Sequence, residues 1–362
     1  MFIEYSKDAI SNSRRGELEQ SLLYACNAMD SGNHVVCTQT RDLAREIINA
    51  TIKTNHGIAS HFDALKEHFS EIAGVKLCVN SFIKIVHGNT PPSARLIGNQ
   101  CEISIGIALT TRSEFWYKTC FVAENLDDIR GYYLIYKACF PNGPSLKSDD
   151  TLGGGTTASD VVAQKIADGR IVLCILDSDK HSPDDKIKDT AAKVLKLPIP
   201  PSCNVVITES HEIENLFLAK KILEYLRNNN LTERDADVLR IINTAEKKQI
   251  DARFYYDIKS GYNYKTIASN AYLHECFAPS KVNCKSFTTD ENCKNCKTCN
   301  CLIIQGLGRK FFSDDILNCE SLKDNIVTIY SELPDFVKRE WLRMASAVLS
   351  WCCAYKLNAL GV

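Results

Sequence analysis

The sequence predicts an α/β protein: a mainly parallel sheet flanked by helices, preceded by an N-terminal α/β module and followed by a mostly helical, Cys-rich C-terminal module. Three observations carry this. Short apolar, β-branched runs recur at residues 119–123, 170–176 and 204–208. Helical patterns lie between and after them, at 127–136, 159–166 and 211–227. Strands that alternate with helices imply βαβ units, and strands buried on both faces read as continuous apolar runs.

The elements follow in chain order. Residues 17–29 form a helical pattern through Leu18, Leu22, Ala25 and Met29. A short strand is expected at 34–38, a helix at 41–52, a turn at Asn89-Thr90-Pro91-Pro92 and a strand-like run over 102–109. This N-terminal stretch, residues 1–116, carries no chemical motif, so a scaffold or partner-binding role is expected. Residues 117–228 form the regular core, and 229–362 the C-terminal module. In the core, Asp127-Asp128 opens a helix bearing Ile129, Tyr132, Tyr133 and Tyr136. Residues 211–227 read as one amphipathic helix with Ile213, Leu216, Phe217, Leu223 and Leu226 on its apolar stripe.

Composition narrows the function classes. The chain has 362 residues, 45% hydrophobic and 24% charged, enough for two or three domains with real cores. Glu4, Lys7 and Asp8 place charge where a signal peptide needs an apolar run, and no apolar stretch approaches about 18 residues. Seventeen cysteines without a secretion signal point to a reducing, cytoplasmic setting, with no membrane partner. Eight of them lie in the first 203 residues in apolar contexts and read as small buried hydrophobes. A net charge of −1 gives no global attraction for nucleic acid. Segment 245–310 is locally basic, eleven Lys/Arg against six Asp/Glu, with Phe254, Tyr255, Tyr256, Tyr262, Tyr264 and Tyr272 interleaved. That mixture suits phosphate contacts with base stacking, or an ordinary solvated surface.

The acids carry the chemistry. Ligands of parallel α/β sheets bind beyond the carboxyl ends of the strands. Glu124 directly follows one strand, and Asp177 and Asp179 directly follow another. Alternation along an extended chain would set Asp177 and Asp179 on one side with Ser178 opposite. Close carboxylates repel unless a cation lies between them, and such a set suits Mg²⁺ or Mn²⁺. His211-Glu212-Ile213-Glu214-Asn215 adds further acid after the third run, and Gly153-Gly154-Gly155 would let backbone approach a phosphate. Taken singly, each piece also reads as a cap, a turn or a solvated loop acid, and His211 reads as a cap or packing residue.

Taken in order, Glu after a first strand, a glycine turn before a helix, and Asp-x-Asp after a central strand resemble the Toprim pattern of topoisomerases, primases and related nucleases. The resemblance is nearer the nuclease branch, the overcoming-lysogenization-defect nucleases and phage-defence effectors. There an Asp stands four residues after the Glu, as Asp128 does, and Glu214 resembles the later Glu. It covers roughly residues 117–226. Asn125 stands where the family usually has Gly.

The resemblance implies Mg²⁺- or Mn²⁺-dependent phosphodiester hydrolysis in DNA or RNA, by an endonuclease of bacterial antiviral defence. Asp177, Asp179 and Glu214 would hold one or two ions, with Glu124 and Asp128 holding the second or orienting water. Lys180, beside the acid pair, would offset charge on the phosphate, or is an ordinary surface lysine. Such effectors often work with an ATPase. The chain has no Gly-x-x-x-x-Gly-Lys-Ser/Thr loop, so a separate ATPase or sensor subunit would supply it. A homo-oligomer stays open. The rival readings are a primase-like nucleotidyl transferase and a non-catalytic nucleic-acid or partner-binding subunit.

A second cluster, Cys293-x-x-Cys296-x-x-Cys299-x-Cys301, has Cys276 and Cys284 upstream. Paired knuckles of this kind suit structural Zn²⁺. Free thiols, an iron–sulfur cluster or redox chemistry are the alternatives.

Overall fold

The computed structural model describes residues 1–278 and 302–357. Two parallel sheets share most of the chain. The first joins β1 (Phe2–Tyr5), β2 (Val35–Thr38), β3 (Ser81–Val86), β4 (Ser93–Ile97) and β5 (Gln100–Gly106) in the order β2-β1-β3-β5-β4. Only β4 runs antiparallel, at an exposed edge. The 102–109 run splits as a result: β5 ends at Gly106 and a short helical turn, Ile107–Thr111, follows.

The second sheet holds β6 (Thr119–Ala123), β7 (Ser148–Leu152), β8 (Val172–Leu176) and β9 (Cys203–Ile207), all parallel, ordered β7-β6-β8-β9. Its central strands β6 and β8 lack polar alternation because both of their faces are covered, whereas the edge strand β7 is polar and partly exposed. Cys120, Val122, Val172, Cys174 and Leu176 pack with Ala158, Val162, Ala191 and Val194 on one side. Phe121, Ala123, Leu173 and Ile175 enter the main core on the other. The chain leaves β6 for β7 on one flank, then crosses to β8 on the opposite flank. The strand order therefore reverses between β6 and β8, and a crevice opens at their carboxyl ends at such a reversal.

The C-terminal helix Asp335–Cys352 ties the two sheets together. It packs along the helix Leu126–Cys139 and touches β3, β6 and β8. Its buried stripe includes Phe336, Trp341, Met344, Val348 and Leu349. At its end, Thr119 Oγ1 donates to Trp351 O at 2.5 Å and Asn80 N donates to Ser350 Oγ at 2.8 Å. The Met1 ammonium donates to Cys353 O at 2.5 Å. The residues just before β1 and β3 and the first residue of β6 are thus all pinned to one helix terminus. Among the described residues no helix is long and apolar enough to cross a membrane.

Residues 211–227 depart from the single expected helix. A short turn at Ile213–Phe217 is followed, after a break, by the helix Lys220–Leu226. The break falls at Leu218 and Ala219, whose backbones leave the helical region, and Leu218 O accepts from Arg253 Nη1 at 2.8 Å. The aromatics of segment 254–272 also depart from expectation. Phe254, Tyr255, Tyr256, Tyr262 and Tyr264 are all buried, so they pack the core and cannot stack on bases. The described part of the Cys-rich region contributes Cys276, buried at the end of the helix Ala271–Phe277, with burial pushing its thiol up to about 11. Cys284, Cys293, Cys296, Cys299 and Cys301 lie outside the described residues.

Gly131 tests the packing of this core. A Cβ there would lie 2.4 Å from the Phe312 ring and 2.9 Å from Ile213 Cδ1. Alanine for glycine in an exposed helix gains about 1 kcal/mol. Gly131→Ala is expected to lose ~1–3 kcal/mol instead, by overpacking. The denaturant midpoint checks the sign.

Candidate functional site

Glu124 and Asp177 are the first residues beyond β6 and β8, and they meet at the strand-order reversal. Asp128 joins them from the first turn of the helix Leu126–Cys139. Asn125 caps that helix in a reciprocal box: its Oδ1 accepts from Asp128 N at 3.0 Å, and Asp128 Oδ2 accepts from Asn125 N at 3.1 Å. A side-chain acceptor is needed for this cap, and Asn125 supplies it. It accounts for the residue that stands where the resemblance expects glycine.

The segment after β8 is laced to the segment after β9. Ser178 Oγ donates to Ser210 O at 2.6 Å, Ser178 N to Thr208 Oγ1 at 3.2 Å, and Asp179 N to His211 O at 3.1 Å. Asp179 takes φ +52°, a left-handed conformation, so the alternation expected for an extended Asp-x-Asp stops at Ser178. Beyond β9, Glu212 and Glu214 flank Ile213. Asn215 Oδ1 accepts from Glu212 N at 3.1 Å, and its Nδ2 donates to Arg253 O and Tyr256 O, both at 2.7 Å. His211 N adds a bond to Phe254 O at 2.7 Å. This clamp brings residues 253–259 under the acids.

Lys259 arrives on that segment. Its Nζ lies 3.0 Å from a carboxylate oxygen of Glu212 and 3.0 Å from one of Glu214. Lys180 is oriented elsewhere and donates to Pro183 O at 3.3 Å. The glycine run lies beside Glu124, because Gly153 N donates to Ala123 O at 2.7 Å and Gly154 N to Glu124 O at 3.1 Å. A Cβ on Gly153 would stand 2.7 Å from Ala123 O. The run is therefore demanded by packing against β6, and two of its three amides are already spent rather than offered to a phosphate.

Charge dominates the cluster. Asp128, Asp177 and Glu214 are 4%, 8% and 5% exposed. Burial, then repulsion from Glu214, pushes the Asp128 carboxyl up to about 7. Burial, then Asp128 and Glu214, holds Asp177 well above its ordinary range. Burial followed by Asp179 raises Glu124, and burial also raises Asp179. Glu212 and Glu214 rise through burial against the opposing pull of Lys259. Burial works against the Lys259 charge, but Glu214 and Glu212 outweigh it and hold the ammonium above its usual range.

One lysine is thus set against six carboxyl groups. Asp177 Oδ1, Glu212 Oε2 and Glu214 Oε2 are buried and accept no hydrogen bond from the described residues. Buried carboxylates in this state cost several kcal/mol unless protonated or met by a cation.

The protein-family models, the curated proteins and the solved structures contain no match to this chain.

The donor chemistry, carboxylate oxygens in number, is that of a Mg²⁺ or Mn²⁺ site. Among the described residues no three His, Cys, Asp or Glu side chains already close around a single ion position. Lys259 lies on Glu212 and Glu214. The geometry brings together the sequence-expected Glu124, Asp128, Asp177, Asp179 and Glu214. Sequence reasoning noted Glu212 as further acid without assigning it to the site, and missed Lys259 and the clamp role of Asn215. Lys259 had no motif to mark it, being some 45 residues beyond the last acid. Asn215 had only its place in Glu-x-Glu-Asn.

Two outcomes follow from this electrostatics. Raised carboxyl values mean the folded, metal-free chain holds more protons than the unfolded chain between about pH 4 and 7, so its stability falls as pH rises through that window. Asp128→Asn keeps the acceptor for the cap and removes the charge. It is expected to raise the Tm of metal-free protein by at least ~2 °C at pH 8 and much less at pH 5. Asn215→Ala strips partners from two buried carbonyls and a part-buried amide and is expected to cost about 3 kcal/mol, measured by urea unfolding.

Proposed function

We propose that this chain is a divalent-cation-dependent nuclease of the Toprim type, hydrolysing phosphodiester bonds in DNA or RNA. The observation that carries the reading is the convergence of Glu124, Asp128, Asp177, Asp179 and Glu214 at the carboxyl ends of β6 and β8, with buried carboxylate oxygens left without partners. The order and spacing of those acids along the chain support the same reading. Mg²⁺ or Mn²⁺, when bound, supplies Lewis-acid stabilisation of the attacking and leaving oxygens.

The chain's own residues then divide the work. Asp177 and Glu214, both nearly dry, would hold cations from the β8 and β9 sides. Glu124 and Asp128 supply acceptors on the β6 side, and Glu124, the more exposed, orients water. Lys259 faces the anion that enters. It trades its contacts with Glu212 and Glu214 for phosphate oxygens and takes the charge-offsetting role expected of Lys180. A fixed ammonium at that place stabilises charge developing in the transition state. An antiviral-defence setting, a separate ATPase or sensor subunit, and structural Zn²⁺ on the Cys cluster belong to the same proposal and rest on the family resemblance or on cysteine spacing.

The test is cleavage of mixed DNA and RNA substrates with Mg²⁺ or Mn²⁺ by the intact chain, by an Asp177→Ala/Asp179→Ala variant and by Lys259→Met. Cutting by the intact chain is expected to fall about 100-fold or more in both variants. Equal cutting by all three would contradict the reading. Incorporation of labelled nucleotides on a primed template without cleavage would favour the primase-like transferase.

A further inference from the structure

The acids gather at one end of the helix Leu126–Cys139, and the outer face of that helix is charged the other way. Arg130, Leu134 and Lys137 follow one another at spacings of four and three residues, which align along a helix. Opposite them lie Leu317, Asn318 and Lys323, the last from the helix Glu320–Asp324. Together they line a groove of about 460 Å³. Leu134 and Leu317 are buried, while Arg130 and Lys137 are exposed.

The lining holds three cations and no carboxylate. Three other clefts among the described residues each carry acid: Asp150 in one, Asp149 in a second, Glu114 and Asp168 in a third. A cleft of one charge sign with apolar walls focuses its field and gathers counter-ions. Arg130 lies 3.0 Å from Asp127 and Lys323 2.7 Å from Glu320, both outside the lining. These are solvent-facing pairs one helical turn apart, which makes them weak, so a phosphate can compete for either cation. The Lys137 side chain has no ion pair among the described residues.

The groove also begins at the acids. Asp128 is two residues from Arg130 on the same helix. The intervening turn packs at Gly131 against Phe312 and against Ile213, the residue between Glu212 and Glu214. Arg130 and Lys137, seven residues apart, are separated by about 10 Å along the helix axis. One strand of a duplex advances roughly 3.4 Å per phosphate, so the two cations are spaced for phosphates about three apart.

We propose that this groove receives the sugar–phosphate backbone of one nucleic-acid strand and leads it to the carboxylate cluster. The proposal rests on the nuclease reading above and names the surface that holds its substrate.

The experiment is equilibrium binding by the full-length protein of fluorescein-labelled nucleic acids about 20 nucleotides long, between about 50 and 200 mM salt. The probes are a DNA strand, its duplex and the RNA strand of the same sequence, with chelator present so that nothing is cut. Arg130→Gln/Lys137→Gln removes two exposed cations from the groove. Arg41→Gln/Lys53→Gln removes the same charge from exposed positions of the N-terminal module and is the control. Each phosphate contact adds about 0.7 to the slope of log affinity against log salt on a single strand, and about 0.9 on a duplex. The slope is read on the probe that binds tightest. The groove variant is expected to lose about 1.4 to 1.8 from that slope and to bind at least about tenfold more weakly, with the control unchanged.

An unchanged slope in the groove variant, an equal loss in the control, or no binding of any probe by the intact chain would each overturn the proposal. The expected loss without cleavage on adding Mg²⁺ or Mn²⁺ would count against the nuclease reading and leave the groove standing as a nucleic-acid site.

Discussion

The rest of the site depends on a set of buried carboxylates that repel one another at the carboxyl ends of two adjacent parallel strands. Asp177 and Glu124 are placed there by β8 and β6, whose own burial on both faces fixes their ends rigidly. Like charges in a dry site raise one another's affinity for protons or for a cation. Around that constraint the structure arranges its counterweights. The Asn125 cap steadies Asp128, and Asn215 holds the segment that carries Lys259. Lys259 answers Glu212 and Glu214. Its one positive charge cannot balance six carboxyl groups, and the shortfall makes this the place for divalent cations in the proposed function.

The C-terminal helix explains how a sheet of four short strands holds such a cluster. Trp341 packs against Phe217 and donates from Nε1 to Leu216 O at 3.0 Å, so the helix grips the turn that carries Glu214. Glu340, nearly fully buried, accepts from Glu209 N at 2.9 Å and pairs with Arg343, which in turn donates to Ile207 O. The end of β9 is thus held from the helix side, while β6 and β8 are held by their neighbours in the sheet. A cluster proposed to hold cations needs that support, because small displacements of its ligands weaken it sharply.

Much of this was legible in the sequence where physics acts locally. Residues 119–123 and 170–176 announced buried strands because both of their faces are covered, and β6 falls where the apolar run does. The acids at the ends of those runs were legible for the same reason: a charge directly after a buried strand has one place to go. What failed was non-local. The left-handed turn at Asp179 answers to bonds from the β9 loop, which no two-residue periodicity encodes. The helical pattern breaks at Leu218 and Ala219, where Leu218 O turns to Arg253, while Asn215 bonds carbonyls about 40 residues on. Tyr256 and Tyr262 looked like a stacking surface in a basic segment. They are core residues, since the Gly261–Asn263 strand pairs with Leu302–Gln305 across the intervening chain. Lys259 reaches the acids by that same return.

The most direct test of the central claim is a crystal of the protein grown with Mn²⁺ and examined by anomalous diffraction. The account predicts a peak bounded by the carboxylates of Asp177 and Glu214, with Lys259 drawn away from Glu214. A saturating Mn²⁺ concentration that leaves no peak there, with Lys259 still 3.0 Å from both glutamates, would contradict it.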